Sequence, residues 1–259
     1  MSTFAAPYEI IKKEEIAAGI FSVELAAAEV AACAVPGQFV HIKAEGFTLR
    51  RPISVCCVNG EILRIVLEVR GAGTAKIAAK NTGDRLDIIA PLGRGFSVPG
   101  NGRVIAVGGG IGVPPLVFCG KTAAENNTRF TSIIGFRDQS RVILEKDLLQ
   151  YGEVIVCTDD GSYGKAGYVT DALQLALTEK AEKPDIILAC GPLPMLRGVA
   201  EIAARWDIPS ELSLEERMGC GMGACAVCAC KTVRDGNVFM QRVCRDGPVF
   251  PGEEVDFDE

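Results

Sequence analysis

Short stretches with partly alternating apolar and polar residues dominate the first third of the chain, and this pattern predicts β-strands. The stretches are rich in Val, Ile and Phe, and Pro-Gly or Asn-Gly turn signals separate them. Strands at such spacing are typical of an all-β barrel or sandwich, and we expect an antiparallel barrel over residues 1–98. One helix interrupts it at residues 73–80. The clearest strands are Gly19–Leu25, Gln38–Ala44 and Glu61–Val69.

After a Pro- and Gly-containing linker at residues 98–102, the pattern changes to continuous apolar runs that alternate with helical segments. Such runs predict strands that are buried on both faces, as in a parallel sheet. The alternation of strands and helices indicates a doubly wound α/β domain, which we assign to residues 99–208. Its predicted strands are the runs RVIAVGGG, RFTSIIGF, EVIVCT and DIILAC.

The last segment, residues 209–259, carries a group of cysteines, several glycines and an acidic tail. It is too short to bury a sufficient core of its own, so we expect a metal centre to order it. The sequence therefore predicts a multi-domain protein with an N-terminal β-barrel, a central α/β domain and a small C-terminal cluster-binding domain.

Composition and charge narrow the possible functions. The chain has 259 residues, and its net charge of −6 argues against a nucleic-acid surface, which needs basic stripes. No uncharged apolar run reaches the roughly 18 residues of a transmembrane helix, and the charged N-terminal residues are unlike a signal peptide. We therefore expect a cytoplasmic protein with no nucleic-acid or membrane partner. In that reducing compartment, the eleven cysteines point to metal or redox chemistry rather than to disulfides.

The spacing of four cysteines is the most specific motif in the chain. Three of them form C-x4-C-x2-C, and the fourth follows after fifteen residues. This is the plant-type ferredoxin arrangement that holds a [2Fe–2S] cluster. Cys230 lies two residues beyond the third cysteine, and we expect it to be a packed thiol. The predicted ligands are Cys220, Cys225, Cys228 and Cys244.

Glycines between these cysteines agree with a loop that folds around a cluster. Gly219, Gly221 and Gly223 would allow positive φ and a close approach of the backbone to the sulfurs. Structural zinc is the main alternative, but it usually takes two separated C-x2-C-type pairs, and the second pair is missing here. A disulfide set fits a reducing compartment less well still.

A glycine turn within Val107–Leu116 follows a predicted strand and precedes a predicted helix. Such a turn lets backbone amides and a helix N-terminus face a pyrophosphate. Its spacing departs from G-x-G-x-x-G, so a tight turn that serves only strand–helix packing is the alternative. The candidate residues are Gly109, Gly110 and Gly112.

Two weaker candidates lie in the barrel region. In RRPISV, Arg51 could meet a phosphate and Ser54 a polar cofactor edge, or the arginine could simply precede an ordinary strand. The Gly73-Thr74 pair could form a second phosphate-binding turn or only the entry to a helix.

Further candidates follow strands of the central domain. Asp159 and Asp160 could accept hydrogen bonds from ribose hydroxyls or form an ordinary turn. Cys190 ends a strand at the carboxyl edge, where open α/β sheets bind ligands. The only histidine, His41, lies in the barrel region, where we expect a core or rim residue with its hydrogen bonds satisfied. No Cys–His pair is evident, and no catalytic side chain is predicted.

The order of these motifs resembles that of the ferredoxin–NADP reductase-like flavoproteins: RPIS in a barrel, then a glycine-rich nucleotide domain with CGP near its end. The last segment narrows the resemblance. SLEERMGCGMGACAVCACKT followed by RVCRDGPVF is similar to the iron–sulfur electron-transfer subunits of NAD-dependent dihydroorotate dehydrogenase B. The similarity covers essentially the whole chain.

This resemblance implies three cofactor sites: FAD in the barrel cleft, a [2Fe–2S] cluster on the four cysteines, and NAD between the two larger domains. The FAD residues it implies are Arg51, Pro52, Ile53, Ser54, Val66, Leu67, Glu68, Gly73 and Thr74. The implied NAD residues are Gly109, Gly110, Gly112, Cys190, Gly191 and Pro192, and Asp159 and Asp160 remain candidates for the ribose end of NAD.

The resemblance also implies an oxidoreductase subunit of pyrimidine biosynthesis that works with a partner. An FMN-containing catalytic subunit would oxidise dihydroorotate to orotate in a heterotetramer of two copies of each chain, and electrons would flow from FMN through the cluster and FAD to NAD+. The nearer alternative is a flavin–iron–sulfur subunit of an NADH-dependent ferredoxin:NADP oxidoreductase or of a sulfide dehydrogenase. The more distant alternative is a zinc-stabilised regulatory nucleotide-binding protein with no redox turnover.

Overall fold

A computed structural model describes residues 2–179 and 182–258 of the chain. Within these ranges the chain forms a closed β-barrel, a seven-stranded sheet and a two-stranded hairpin. Among the described residues, no helix has both the length and the apolar composition that crossing a bilayer requires.

An antiparallel barrel forms the N-terminal part of the chain, as predicted. Its six strands are β1 (Phe4–Ala17), β2 (Ile20–Ala26), β3 (Phe39–Ile42), β4 (Arg51–Asn59), β5 (Ile62–Glu68) and β6 (Arg85–Leu92). They close in the order β1-β2-β5-β4-β3-β6. Alternate residues of each strand point inward, so side chains such as those of Leu63, Ile65 and Leu67 fill the interior. Two short helices, α1 (Ala28–Ala31) and α2 (Ala72–Ala78), accompany the barrel.

The central sheet is parallel except at one edge, and helices cover both of its faces. The remaining strands of the chain are β7 (Arg103–Gly109), β8 (Arg129–Phe136), β9 (Gly152–Thr158), β10 (Lys165–Ala166), β11 (Ile186–Cys190), β12 (Ser210–Ser213), β13 (Ala229–Arg234), β14 (Asn237–Arg242) and β15 (Val249–Pro251). The sheet order is β10-β9-β8-β7-β11-β12-β15, with β15 antiparallel to β12. The doubly wound α/β class is therefore confirmed.

Buried residues alternate between the two faces of β7, which lies at the centre of this sheet. Ile105 and Val107 pack against one pair of helices, and Val104 and Ala106 pack on the opposite side. The first pair is α5 (Val169–Glu179) and α6 (Leu193–Arg205), and the second pair is α3 (Pro114–Glu125) and α4 (Glu145–Leu148). Because both faces are covered, the strands are continuous apolar runs, which is why the sequence pattern identified them.

The last segment of the chain does not form a separate layer. Strands β12 and β15, which lie beyond the predicted boundary at residue 208, complete the central sheet. The β13–β14 hairpin and the cysteine loop stand outside that sheet. We propose the three predicted ranges as the limits of the domains. The third domain shares its buried core with the second.

Polar and apolar contacts hold the barrel against the central domain. Phe118 of α3 joins the buried core of the barrel, and the Lys121 ammonium donates to the Val58 carbonyl. The Arg64 guanidinium of β5 pairs with the Asp147 carboxylate at α4. This junction fixes the relative position of β4, β5 and the carboxyl ends of the sheet strands, between which the pockets lie.

Candidate functional site

The four predicted cluster cysteines lie together as two pairs. The Cys220 N–H donates to the Cys225 sulfur at 3.3 Å, and the Cys225 N–H donates back to the Cys220 sulfur at 3.4 Å. In the second pair, the Cys244 N–H donates to the Cys228 sulfur at 3.4 Å. Among the described residues, no three metal-ligating side chains converge on one point. Two pairs of thiols fit the two iron atoms of a [2Fe–2S] cluster, each of which takes two protein ligands.

Backbone N–H groups of the cysteine loop point at these sulfurs. The N–H groups of Met222 and Ala224 donate to the Cys220 sulfur at 3.4 and 3.2 Å, and that of Gly223 donates to the Cys244 sulfur at 3.1 Å. Although burial raises it, the hydrogen bonds from Met222, Cys225 and Ala224 lower the pKa of Cys220 to about 6. Such N–H donors stabilise a thiolate and help to set the reduction potential of a cluster. The loop therefore fits an iron–sulfur centre.

The second pair of thiols is more buried than the first. Burial and the neighbouring Cys228 thiol raise the pKa of Cys244 to about 12. A coordinated metal deprotonates such a thiol outright, so ligation rather than the local environment would make it a thiolate. Cys230 lies in β13 and is also buried.

The glycines of the loop serve two different purposes. Gly221 and Gly223 have positive φ, at +72° and +83°, as expected. Gly219 does not have positive φ, and it provides the close approach to a sulfur instead. A Cβ at Gly219 would instead lie 3.0 Å from the Cys225 sulfur, so glycine is needed there for space. Ala226 takes a positive φ of +56° without being glycine, which the sequence pattern did not indicate.

Arginines hold the loop on its outer side. The Arg242 guanidinium donates to the Gly223 carbonyl at 3.0 Å and is itself paired with Asp246 at 3.1 Å. The aliphatic part of Arg245 packs on Gly223, where a Cβ would lie 2.6 Å from it. Both arginines lie in the RVCRDGPVF stretch that carries the resemblance, but the sequence assigned neither of them a role.

His41 lies on the opposite side of the loop and departs from our expectation. It is fully buried, yet neither ring nitrogen has a hydrogen-bond partner, so the expectation of a satisfied histidine is wrong. Burial, together with the nearby Arg50, lowers the pKa of His41 to about 4, and the ring is therefore neutral at physiological pH.

A pocket of about 210 Å³ lies between β4, β5, α2 and the end of the central sheet. This size suits the ring end of a cofactor rather than a whole dinucleotide. Seven of the residues predicted for FAD line it: Arg51, Pro52, Ile53, Ser54, Val66, Glu68 and Thr74. Cys190, which was predicted for NAD, lines this pocket as well. Burial and the nearby Glu215 raise the pKa of Cys190 to about 12, so its thiol stays neutral.

Two of the residues predicted for FAD do not line the pocket. Leu67 points into the barrel core, because neighbouring strand residues face opposite sides of the sheet. Gly73 lies beneath Arg51, and a Cβ at Gly73 would be 2.4 Å from the guanidinium. Its role is thus to leave room for that cation. Pocket residues that the sequence analysis missed include Phe39, Met218 and Pro248, which only the chain's folding brings there.

A larger cleft of about 1000 Å³ adjoins the pocket at the carboxyl ends of the sheet strands. Its lining includes six residues predicted for NAD: Gly109, Gly110, Gly112, Asp159, Gly191 and Pro192. A Cβ at Gly112 would lie 2.3 Å from the Cys190 carbonyl oxygen, so only glycine allows this close approach of two sheet ends. Asp160 is not among the lining residues; its carboxylate accepts from the Ser162 hydroxyl at 2.6 Å. Arg137, Arg141 and Tyr168 also line the cleft and were missed.

Glu68 and Arg70 line both the pocket and the cleft, so the two spaces meet at the end of β5. The Glu68 carboxylate accepts from Arg70 at 2.8 Å and pairs with Arg141 of the central domain. Although burial raises it, these two guanidinium groups lower the pKa of Glu68. A flavin ring in the pocket and a nicotinamide in the cleft would therefore be neighbours.

The barrel, the doubly wound sheet and the pocket between them define the ferredoxin reductase class of proteins. A ferredoxin reductase of carbazole 1,9a-dioxygenase shares this fold with a TM-score of 0.68 at 19% identity, over 80% of this chain and 67% of that one. An NADH-dependent reduced ferredoxin-NADP oxidoreductase is more similar, with a TM-score of 0.87 and 32% identity over 98% of this chain and 91% of that one.

Sequence comparison identifies the family within that class. Residues 215–256 match the model of the iron–sulfur cluster binding domain of dihydroorotate dehydrogenase B. The dihydroorotate dehydrogenase B (NAD(+)) electron transfer subunit of Shouchella clausii strain KSM-K16 is 40% identical over 255 residues, covering 95% of this chain and 96% of that protein. The homologous subunit of Geobacillus thermodenitrificans strain NG80-2 is 41% identical over 256 residues, with the same coverage. The chain belongs to the family of dihydroorotate dehydrogenase B (NAD(+)) electron transfer subunits.

Family membership confirms the predicted class of function, an oxidoreductase subunit that transfers electrons. It favours this function over the alternatives named in the sequence analysis. The matched domain and the reductase fold support the predicted [2Fe–2S] cluster and FAD, and NAD is the substrate in the family name. The individual residues assigned to each cofactor stay predictions, and two substitutions test them.

Replacing Cys244 by alanine should abolish the iron–sulfur centre, because a cluster with three protein ligands is not retained. Cys230→Ala is the matched control, since both thiols are buried and Cys230 lies only two positions beyond the predicted ligand Cys228. Iron and acid-labile sulfide per chain should fall to near zero in Cys244→Ala and stay at about two of each in Cys230→Ala. An equal loss in both variants would contradict the assignment.

Replacing Gly73 by alanine should weaken FAD binding by about tenfold, because the new methyl group displaces the Arg51 guanidinium from its place in the pocket. Gly71→Ala is the control, since a Cβ there meets nothing within 4 Å and the backbone is extended. The dissociation constant can be measured from flavin fluorescence. Unchanged FAD affinity in Gly73→Ala would show that Arg51 does not contact the cofactor.

Proposed function

We propose that the chain carries electrons between an FMN-containing catalytic subunit, which oxidises dihydroorotate to orotate, and NAD+. FAD would bind in the barrel pocket, NAD in the adjoining cleft, and a [2Fe–2S] cluster on the four cysteines. When bound, these groups supply the conversion between two-electron nicotinamide chemistry and one-electron cluster chemistry. We also propose a cytoplasmic heterotetramer with two copies of each subunit.

The observation that carries this proposal is the contiguity of the three sites. The pocket and the cleft share Glu68 and Arg70, and β3 connects the pocket with the cysteine loop. Phe39 of β3 lines the pocket, while His41 of the same strand contacts the loop at Gly221. The order cleft, pocket, cysteine loop and outer surface is the order that electron transfer to a partner protein requires.

The residues around the sites have roles that follow from their chemistry. Arg51, held by the Leu49 carbonyl at 2.6 Å and lying 5.2 Å from the Phe47 ring centroid, presents a cation that suits a diphosphate. Neutral Cys190 would pack beside the flavin and nicotinamide rings without adding a charge. The Glu68–Arg141 pair keeps the barrel and the central domain together where the two rings would meet.

An exposed apolar surface adjoins the cysteine loop and supports docking of a partner. Val238, Phe239 and Met240 of β14 are exposed, with Met240 63% accessible, and Met222 and Val227 of the loop are exposed as well. Exposed apolar patches of this kind typically mark protein–protein contacts. We propose that the catalytic subunit covers this surface.

The first test is the visible spectrum of anaerobically purified protein before and after addition of NADH. We expect flavin bands with a broad cluster shoulder, and both should bleach because the three sites are contiguous. A colourless protein that also resists reconstitution would overturn the proposal in favour of a zinc-stabilised protein.

The second test separates the proposed partner from the alternative that the ferredoxin-NADP oxidoreductase similarity favours. The proposal predicts that the chain co-purifies with an FMN protein that oxidises dihydroorotate. The double variant Val238→Ser with Met240→Ser, two exposed residues on one face of β14, should bind that partner at least 100-fold more weakly, with the cluster absorption unchanged. Leu149→Ser, an exposed apolar residue that follows α4, is the control. Wild-type affinity in the double variant would exclude the hairpin from the interface.

A further inference from the structure

His41 lies on the outer face of β3, between the flavin pocket and the cysteine loop. Val40 and Ile42 of this strand point into the barrel core, so Phe39 and His41 point outward. Phe39 lines the flavin pocket, and His41 lies opposite Pro52, another residue of that pocket, in the strand pairing. The ring of His41 is nevertheless completely shielded from solvent, because the cysteine loop covers it.

The contact with the loop is made at Gly221. A Cβ at this glycine would lie 2.4 Å from Nδ1 of His41 and 3.0 Å from Cε1. Any side chain at this position would therefore displace the ring or the loop. Gly221 lies between Cys220 and Met222, whose N–H donates to the Cys220 sulfur. The imidazole thus supports the one turn of the loop that presents Cys220.

An unpartnered imidazole in this place calls for an explanation. Both ring nitrogens are buried without a hydrogen bond, although a leucine would fill similar space with no polar atom to satisfy. A neutral imidazole has one N–H donor and one acceptor nitrogen. The backbone carbonyls of Arg50 and Cys220 face the ring, and the second of them belongs to the cysteine loop.

We propose that His41 is a positioning residue of the iron–sulfur site, whose Nδ1–H donates to the Cys220 carbonyl when the cluster is bound. This bond would hold the Cys220–Gly221 turn so that the N–H groups of the loop stay directed at the Cys220 sulfur. Because those donors stabilise the more negative, reduced cluster, His41 raises its reduction potential. The inference rests on the proposed function and specifies how the barrel tunes the cluster.

The test compares His41→Leu with His41→Asn in the full complex. The two replacements have the same branching, and asparagine can place an amide N–H near the position of Nδ1 whereas leucine cannot. The midpoint potential of the cluster is measured by redox titration followed by EPR. Iron and flavin per chain are measured in the same samples, and retained flavin shows that the barrel is intact.

In the leucine variant we expect the equilibrium constant for reduction of the cluster to be about tenfold lower. This corresponds to a midpoint potential about 59 mV more negative. The asparagine variant should recover most of the wild-type value. Loss of iron from the leucine variant alone, with flavin retained, would support the same role. Equal potentials in all three proteins, or an equal defect in both variants, would overturn it.

A direct measurement needs no substitution. His41 is the only histidine of the chain, so labelling this chain with ¹⁵N-histidine marks one residue. The ¹⁵N chemical shifts of the imidazole should show that Nδ1 carries the proton, and a ring protonated at Nε2 alone would overturn the inference. If wild-type protein held no cluster at all, the proposed function itself would fail. This outcome differs from the results named for His41, all of which require wild-type protein that contains the cluster.

Discussion

The cysteine loop depends on hydrogen bonds to sulfur more than on burial of its own side chains. Between Cys220 and Cys228 the loop consists mainly of glycine and alanine, with Met222 and Val227 exposed. Its conformation therefore depends on N–H groups that donate to the thiols and on contacts with residues of neighbouring strands. Arg242 binds the Gly223 carbonyl on the outer side, and His41 supports Gly221 on the barrel side. Two positive-φ glycines make this conformation accessible.

The barrel and the central sheet together provide the frame for that loop. Strand β12 leads from the sheet into the loop, and β15 returns the chain to the same sheet after Cys244. Cys228 and Cys244 are part of the same buried core as α5 and α6. A small segment that could not fold alone is thus anchored at both ends in a large core, and the cofactor sites are held at fixed mutual positions.

Residues that the sequence predicted from a motif with a clear chemical purpose lie together in a pocket or a loop, and their roles stay predictions. The four cysteines, RPIS and the glycine turn all lie where a pocket or a loop needs them. Leu67 and Asp160 lie outside the pockets because both were predicted as members of a run of consecutive residues, whereas a strand or turn presents only some of its side chains to one side. Both uses of glycine were expected in the cysteine loop, but the sequence does not show that Gly219 serves close packing whereas Gly221 and Gly223 serve positive φ.

The amino-acid sequence by itself determined the architecture and the family of this protein. Strand and helix periodicities and the cysteine spacing are local patterns, and local patterns are readable along a chain. Only the tertiary structure decided that residues 209–259 complete the central sheet, that Glu68 joins two pockets, and that His41 supports the cysteine loop. These facts join residues far apart in the chain, and their geometry depends on how whole domains pack. His41 and Gly221 are 180 positions apart, and neither carries a signal that points to the other.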